Sequence, residues 1–234
     1  MTIFSLATKI FFREFRSGQL LLMFLSLSLA VGIVASITFF TDRLDGSLMM
    51  ESKQFLGGDL KYESDTPLDE SSFPIGDYSY ASIYEFGSVL GSSRKFQLAS
   101  VKSVSPPYPL IGEFEIQKKY DERVLETNPP KPGKVWLDTR LANLLGVTIN
   151  DAVNIGEKDF SISGIILSES DRGAGSFAFA PKAIMNSFDL EEANVIQPGS
   201  RVRYSYVFVG SQEAIKLLEN FFQSKKKPGD EITT

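Results

Sequence analysis

Any chemistry in this chain has to be done without imidazole or thiol, because none of its 234 residues is His or Cys. Ser-His-Asp and Cys-His catalysis and the usual zinc sites are thereby excluded, since each needs an imidazole. Two serine–lysine pairs remain, Ser92-x-x-Lys95 and Ser224-x-x-Lys227. A lysine acts as a base only when desolvation lowers its pKa. The pattern around them places Lys95 at a hairpin tip and Lys227 in the run Lys225–Lys227, so both are expected to be solvated and inert. Gly173-x-Gly175-x-x-Ala178 is a variant of the dinucleotide fingerprint, which needs a strand before it and a helix directly after. Here Glu169, Ser170 and Asp171 precede the glycines and Pro181 interrupts the segment after them, so a turn with positive φ is expected instead. Carboxylates are plentiful, but no pair stands out for glycoside hydrolysis. No P-loop is present either, which excludes ATP hydrolysis by that route. The expectation is a chain that is not an enzyme, with no catalytic, cofactor or metal residues.

The elements that carry these residues are ordered by one feature, the run LLLMFLSLSLAVGIVASITFF from Leu20 to Phe40, 21 residues without a charge. As a helix it is about 30 Å long, the thickness of a bilayer's hydrocarbon core. It is longer than a signal peptide's apolar region, and Ala30 and Ala35 have the wrong spacing for a cleavage site, so a retained span is expected. Lys9, Arg13 and Arg16 precede it against Glu14, whereas Asp42, Arg43 and Asp45 come after it. The Lys/Arg excess marks the N-terminal side as cytoplasmic. The net charge is −5, of which the first 19 residues contribute +2, leaving −7 on residues 41–234. An acidic domain of this kind argues against nucleic acid and against a polybasic lipid-binding surface.

Four segments are expected: 1–19 as a cytoplasmic amphipathic segment, with Phe4, Ala7, Phe11 and Phe15 at helical spacing; 20–40 as the transmembrane helix; 41–57 as a helical stalk; and 58–234 as an external α+β domain, mostly β. Ser28, Gly32 and Ser36 fall four apart on one face of the span, the small-residue arrangement that lets membrane helices approach closely. Leu44, Leu48 and Phe55 continue a helical stripe beyond the bilayer, and Gly57-Gly58 ends it. Strands are expected at 59–64, 78–90, 95–104, 135–137, 153–155, 160–167 and 201–209, with Phe160, Ile162 and Gly164 on one buried face. Asp138 and Ser211 cap helices, the first closed by Gly146 and the second running to about Ser224.

Taken together, REFRSGQL before the span, FFTDRL after it, LGGDL at the end of the stalk, QLASVKSVSPPYPLIGE, the unit KVWLDTRLANLLGV…DAVNIG…FSISGII, ESDRGAGSFAFAPKAIMN and QPGSRVRYSYVFVG carry a resemblance. The chain resembles the N-terminal part of the large permease subunit of YbbA–YbbP-type ABC transporters, in the MacB/LolC/FtsX permease superfamily. The resemblance implies a bacterial inner-membrane location and a two-lobed, MacB-like periplasmic domain. It also implies a cytoplasmic ATPase subunit and further transmembrane helices as partners, and coupling of ATP-driven motion to a lipid- or lipoprotein-like envelope substrate. Such permeases have several spans, so the chain is expected to be a fragment. The alternative is a self-contained single-span protein whose external domain binds a periplasmic ligand or protein. An anchored hydrolase has little support without His or Cys.

Overall fold

A computed structural model describes residues 9–10, 13, 18–93, 95–119, 122–169 and 180–234. The chain divides into two units, Met1–Glu51 and Ser52–Thr234. The amphipathic segment expected before the span falls, apart from Lys9, Ile10, Arg13, Gly18 and Gln19, outside the described residues, as do residues 170–179 with the glycine loop.

Helix α1 spans Gln19–Leu56, 38 residues, and Leu20–Leu44 is long and apolar enough to cross a membrane. Along that stretch the side chains of Leu22, Phe24, Val34 and Phe39 are exposed among the described residues. Two of its hydroxyls are satisfied within the helix. Ser26 Oγ donates to the Met23 carbonyl and Thr38 Oγ1 to the Val34 carbonyl, each at 2.9 Å. This is the economy a spanning helix needs where no water is at hand.

The second unit holds, among the described residues, strands β1 (Leu60–Ser64), β2 (Tyr78–Gly91), β3 (Phe96–Val104), β4 (Phe114–Lys119), β5 (Glu122–Glu126), β6 (Lys134–Asp138), β7 (Ala152–Ile155), β8 (Lys158–Glu169), β9 (Lys182–Asn186), β10 (Val202–Gly210) and β11 (Glu231–Thr233). Helices α2 (Thr139–Leu145), α3 (Leu190–Ala193) and α4 (Gln212–Lys225) complete it. The strand order is β11-β1-β10-β2-β3-β9-β6-β8-β4-β5, with β7 pairing both β2 and β8. That double pairing closes a ring of six strands, β2-β3-β9-β6-β8-β7. The inward side chains of this barrel form one apolar core, with Phe86, Leu90, Val101, Leu137, Ile155, Phe160 and Met185 at its centre and Leu141 and Leu145 of α2 joining it.

On the other side of β2 the sheet opens out. Tyr62, Tyr206 and Phe208 pack under Leu218 and Phe222 of α4, with Phe73 wedged edge-on against five aromatic rings. A further core, containing Ile83, Tyr108, Phe114, Trp136, Ile166 and Val207, lies outside the barrel wall.

Strand β8 serves two cores because of a bulge. Its parallel register with β6 runs Ile162↔Val135 and then Gly164↔Trp136, leaving Ser163 as the extra residue. A bulge flips the phase of the side chains beyond it. Phe160 and Ile162 therefore point into the barrel, while Gly164 sits against Trp136 on the outside, where a Cβ would come within 3.1 Å of the indole. The single buried face expected for Phe160, Ile162 and Gly164 is thus two faces. The caps match the sequence pattern: Leu141 N–H donates to Asp138 Oδ1 at 2.6 Å, and Gly146 takes φ +69°.

Candidate functional site

The span and stalk residues singled out in the sequence are exposed where their side chains are described, and Ser92 is half-buried. Ser28 and Ser36 are exposed on α1, and a Cβ placed on Gly32 would meet nothing within 4 Å. Leu44 and Phe55 are 45% and 58% exposed; the side chain of Leu48 lies outside the described residues. Ser92 Oγ accepts from the Lys95 backbone N–H and donates to the Leu145 carbonyl, both at 3.2 Å, which makes it a turn constraint. Ser224 Oγ donates to the Phe221 carbonyl at 2.7 Å. Among the described residues no group of three or more His, Cys, Asp and Glu is placed to hold a metal ion.

The polar groups that are buried were not singled out in the sequence, and they act as fasteners. Lys102 is 1% exposed on β3; its Nζ donates to Tyr108 OH at 2.7 Å and pairs with Glu169, the last residue of β8. Lys182 reaches the other oxygen of Glu169 at 3.4 Å. The lysine inside the otherwise small and apolar run LASVKSV is the signal that marks this site.

Glu70, in the 3-10 turn Glu70–Ser72, accepts hydrogen bonds from Tyr80 OH (3.0 Å), Ser82 Oγ (2.6 Å) and Tyr84 OH (3.1 Å). Burial, and after it the neighbouring Glu70 carboxylate, raises the Tyr84 phenol above its ordinary value. Burial also pushes Tyr206 up to about 12. Asp189 accepts the Gly133 N–H through both oxygens and pairs with Lys158 at 2.6 Å. Hydrogen bonds from Lys158 to Asp189 and Glu192 raise the Lys158 pKa.

A further fastener joins residues 53–59 to β10. Gly57 takes φ +74° and ends α1. Gly58 then lies so close to β10 that a Cβ would come within 2.4 Å of Val207 Cγ1 and 2.8 Å of the Phe208 carbonyl oxygen. Asp59 N–H donates to Phe208 O at 2.8 Å. Its carboxylate pairs with Lys53 at 2.7 Å and accepts from Gly210 N–H at 3.2 Å. The run LGGDL announced the helix end, but not that its second glycine is required by a neighbouring strand.

The class of protein comes from the fold: a long apolar helix and then a mostly β, α+β domain of MacB periplasmic type. The domain is similar to the periplasmic region of MacB from Actinobacillus actinomycetemcomitans, with TM-score 0.51 and 12% identity over 79% of this chain and 92% of that one. The extracellular domain of the ABC-type transporter YknZ from Gram-positive bacteria aligns at TM-score 0.46 and 12% identity, over 75% of this chain and 100% of that one. In sequence the chain is similar to the uncharacterized ABC transporter permease YbbP of Escherichia coli K12, 32% identical over 225 residues and 93% of this chain. It spans 27% of the length of that relative. No family model matches the chain.

Proposed function

We propose that this chain is the first membrane span and the periplasmic domain of an ABC transporter permease, with no catalytic activity of its own. One observation carries this reading: an apolar spanning helix and a MacB-type domain occur in a single chain that matches a permease over 93% of its residues. The proposed segments are 1–19 cytoplasmic, 20–40 in the bacterial inner membrane, 41–57 as stalk and 58–234 periplasmic, oriented by the Lys/Arg excess before the span. The partners are an ATPase subunit on the cytoplasmic face and the permease's other transmembrane helices. The domain's task is to pass ATP-driven motion to an envelope substrate of lipid or lipoprotein type.

Within this reading Ser28, Gly32 and Ser36 form the face against which another membrane helix packs. The uncovered surface around Gly32 supports that role, since small residues let backbones approach. Leu44, Leu48 and Phe55 pack the stalk against a neighbouring helix. The Lys53–Asp59 pair and the tight seat of Gly58 on β10 support firm anchoring of residues 53–59 within the second unit.

The test is Gly32→Leu in the intact permease in native membranes. Co-purification with the ATPase should fall while the protein stays in the membrane. Undiminished recovery of the complex from both Gly32→Leu and Gly32→Trp would show that the helix is a simple tether.

A further inference from the structure

We propose that the mouth of the six-stranded barrel is a binding site for an uncharged, drug-sized amphiphile. The proposal rests on the geometry of the second unit and does not depend on the transport reading. At this end of the barrel lies a cleft of about 610 Å³. Specific small-molecule sites run from about 300 to 1,000 Å³, are mostly apolar with a few convergent polar groups, and favour the mouths of β-barrels.

The cleft exists because of the bulge at Ser163. By shifting the phase of β8, it turns Ile165 toward the barrel interior, next to α2. Bulges recur at barrel rims and beside functional sites for this reason. Ile165, Ala142, Val147 and Ile149 form an apolar floor. The segment that follows α2 is held in place. Asn150, at φ +74°, donates its N–H to the Ile162 carbonyl at 2.8 Å, and Asp151 caps Thr148 N–H at 2.7 Å. A site held this way loses little entropy when it is filled.

The rim sets the ligand class. Gln117, Asn143 and Asn150 offer neutral amides, each both donor and acceptor. Lys118 supplies the cation of the lining, and its ammonium is paired with Glu126 across the β4–β5 hairpin. The charges balance, so an anionic or cationic head would lose its hydration without gaining a counter-charge. A neutral hydrogen-bonding head on an apolar body fits both rim and floor.

Because the chain lacks Cys, Thr139→Cys, an exposed lining position without a rim amide, carries a unique environment-sensitive fluorophore beside the cleft in the nanodisc-embedded full chain. The probes are a medium-chain monoacylglycerol, the fatty acid of the same chain length and the matching alkyltrimethylammonium. A saturable shift is expected with the monoacylglycerol, with at least about tenfold weaker binding of both charged probes. Thr148 is exposed, so Thr148→Trp fills the cleft from its edge without entering the core and should abolish the saturable shift. Three results would overturn the proposal: a linear response from bilayer partition alone, an equal response with Thr148→Trp, or fatty acid binding as tightly as monoacylglycerol.

Discussion

Three hydroxyls converge on the half-buried Glu70, and a carboxylate so placed is costly to lose. Glu70→Ala leaves Ser82, which is 2% exposed, without its acceptor. We expect a loss of about 2–3 kcal/mol in urea unfolding, against about 1 kcal/mol or less for Tyr80→Phe, which removes one donor and leaves the acceptor served. Lys102→Met is expected to cost about 3 kcal/mol, because Glu169 stays buried with Lys182 at 3.4 Å. Pairing it with Glu169→Leu should recover much of that loss, which a double-mutant cycle would measure. Lys102 left one trace in the sequence, a lysine inside LASVKSV, whereas its partner Glu169 and the Glu70 site were not legible. Glu70 is one of 29 acidic residues, and nothing in its neighbours' identities shows that strand β2 will present three hydroxyls to it. Local features were readable, such as Asp138 and Ser211 as caps, because a cap depends on residues three positions away.

Elements read well where one face decides them and poorly where a neighbour does. β2, β3, β8 and β10 lie close to their expected bounds, because long apolar or alternating runs leave few other options. β4, β5, β9 and β11 were not expected: FEIQKK, ERVLE and EIT are short and charged, and become strands by pairing, β5 and β11 at the two edges of the sheet and β4 between β8 and β5. β9 is short too, and lies inside the sheet between β3 and β6. At the end of α1, Gly58→Ala should destabilise the second unit by about 1–3 kcal/mol, because the added methyl meets backbone at Phe208 O as well as Val207. Gly32→Ala on the same helix meets nothing within 4 Å and should leave thermal unfolding of that unit unchanged. A circular-dichroism melt of the two variants separates these outcomes.

At the scale of the whole molecule, the titration of the tyrosine face sets an alkaline limit. Tyr206 and Tyr84 have phenol pKa values raised by burial above the ordinary value of about 10, Tyr206 to about 12. Between the unfolded and folded values the folded state holds more protons, so stability falls as pH rises. The contribution is complete below about pH 10 and is lost progressively toward about pH 12, and the raised Lys158 pKa acts in the same direction. Denaturant midpoints measured from pH 8 to 12 should be flat at first and then decline, and Tyr206→Phe should soften the decline.

The properties that the sequence determined by itself reside in composition and short-range pattern. These are the exclusion of imidazole and thiol chemistry, a run long and apolar enough to span a bilayer, the helix caps, and the alternation that makes a mostly β domain. The features that only the tertiary structure decided depend on long-range pairing. β7 closes the six-stranded ring through two partners far apart in the chain, the bulge at Ser163 divides β8 between two cores, and Gly58 is required by a strand some 150 residues away. The physical reason is that a residue's own type sets its local preference, while its burial and partners are set by whichever strand arrives beside it.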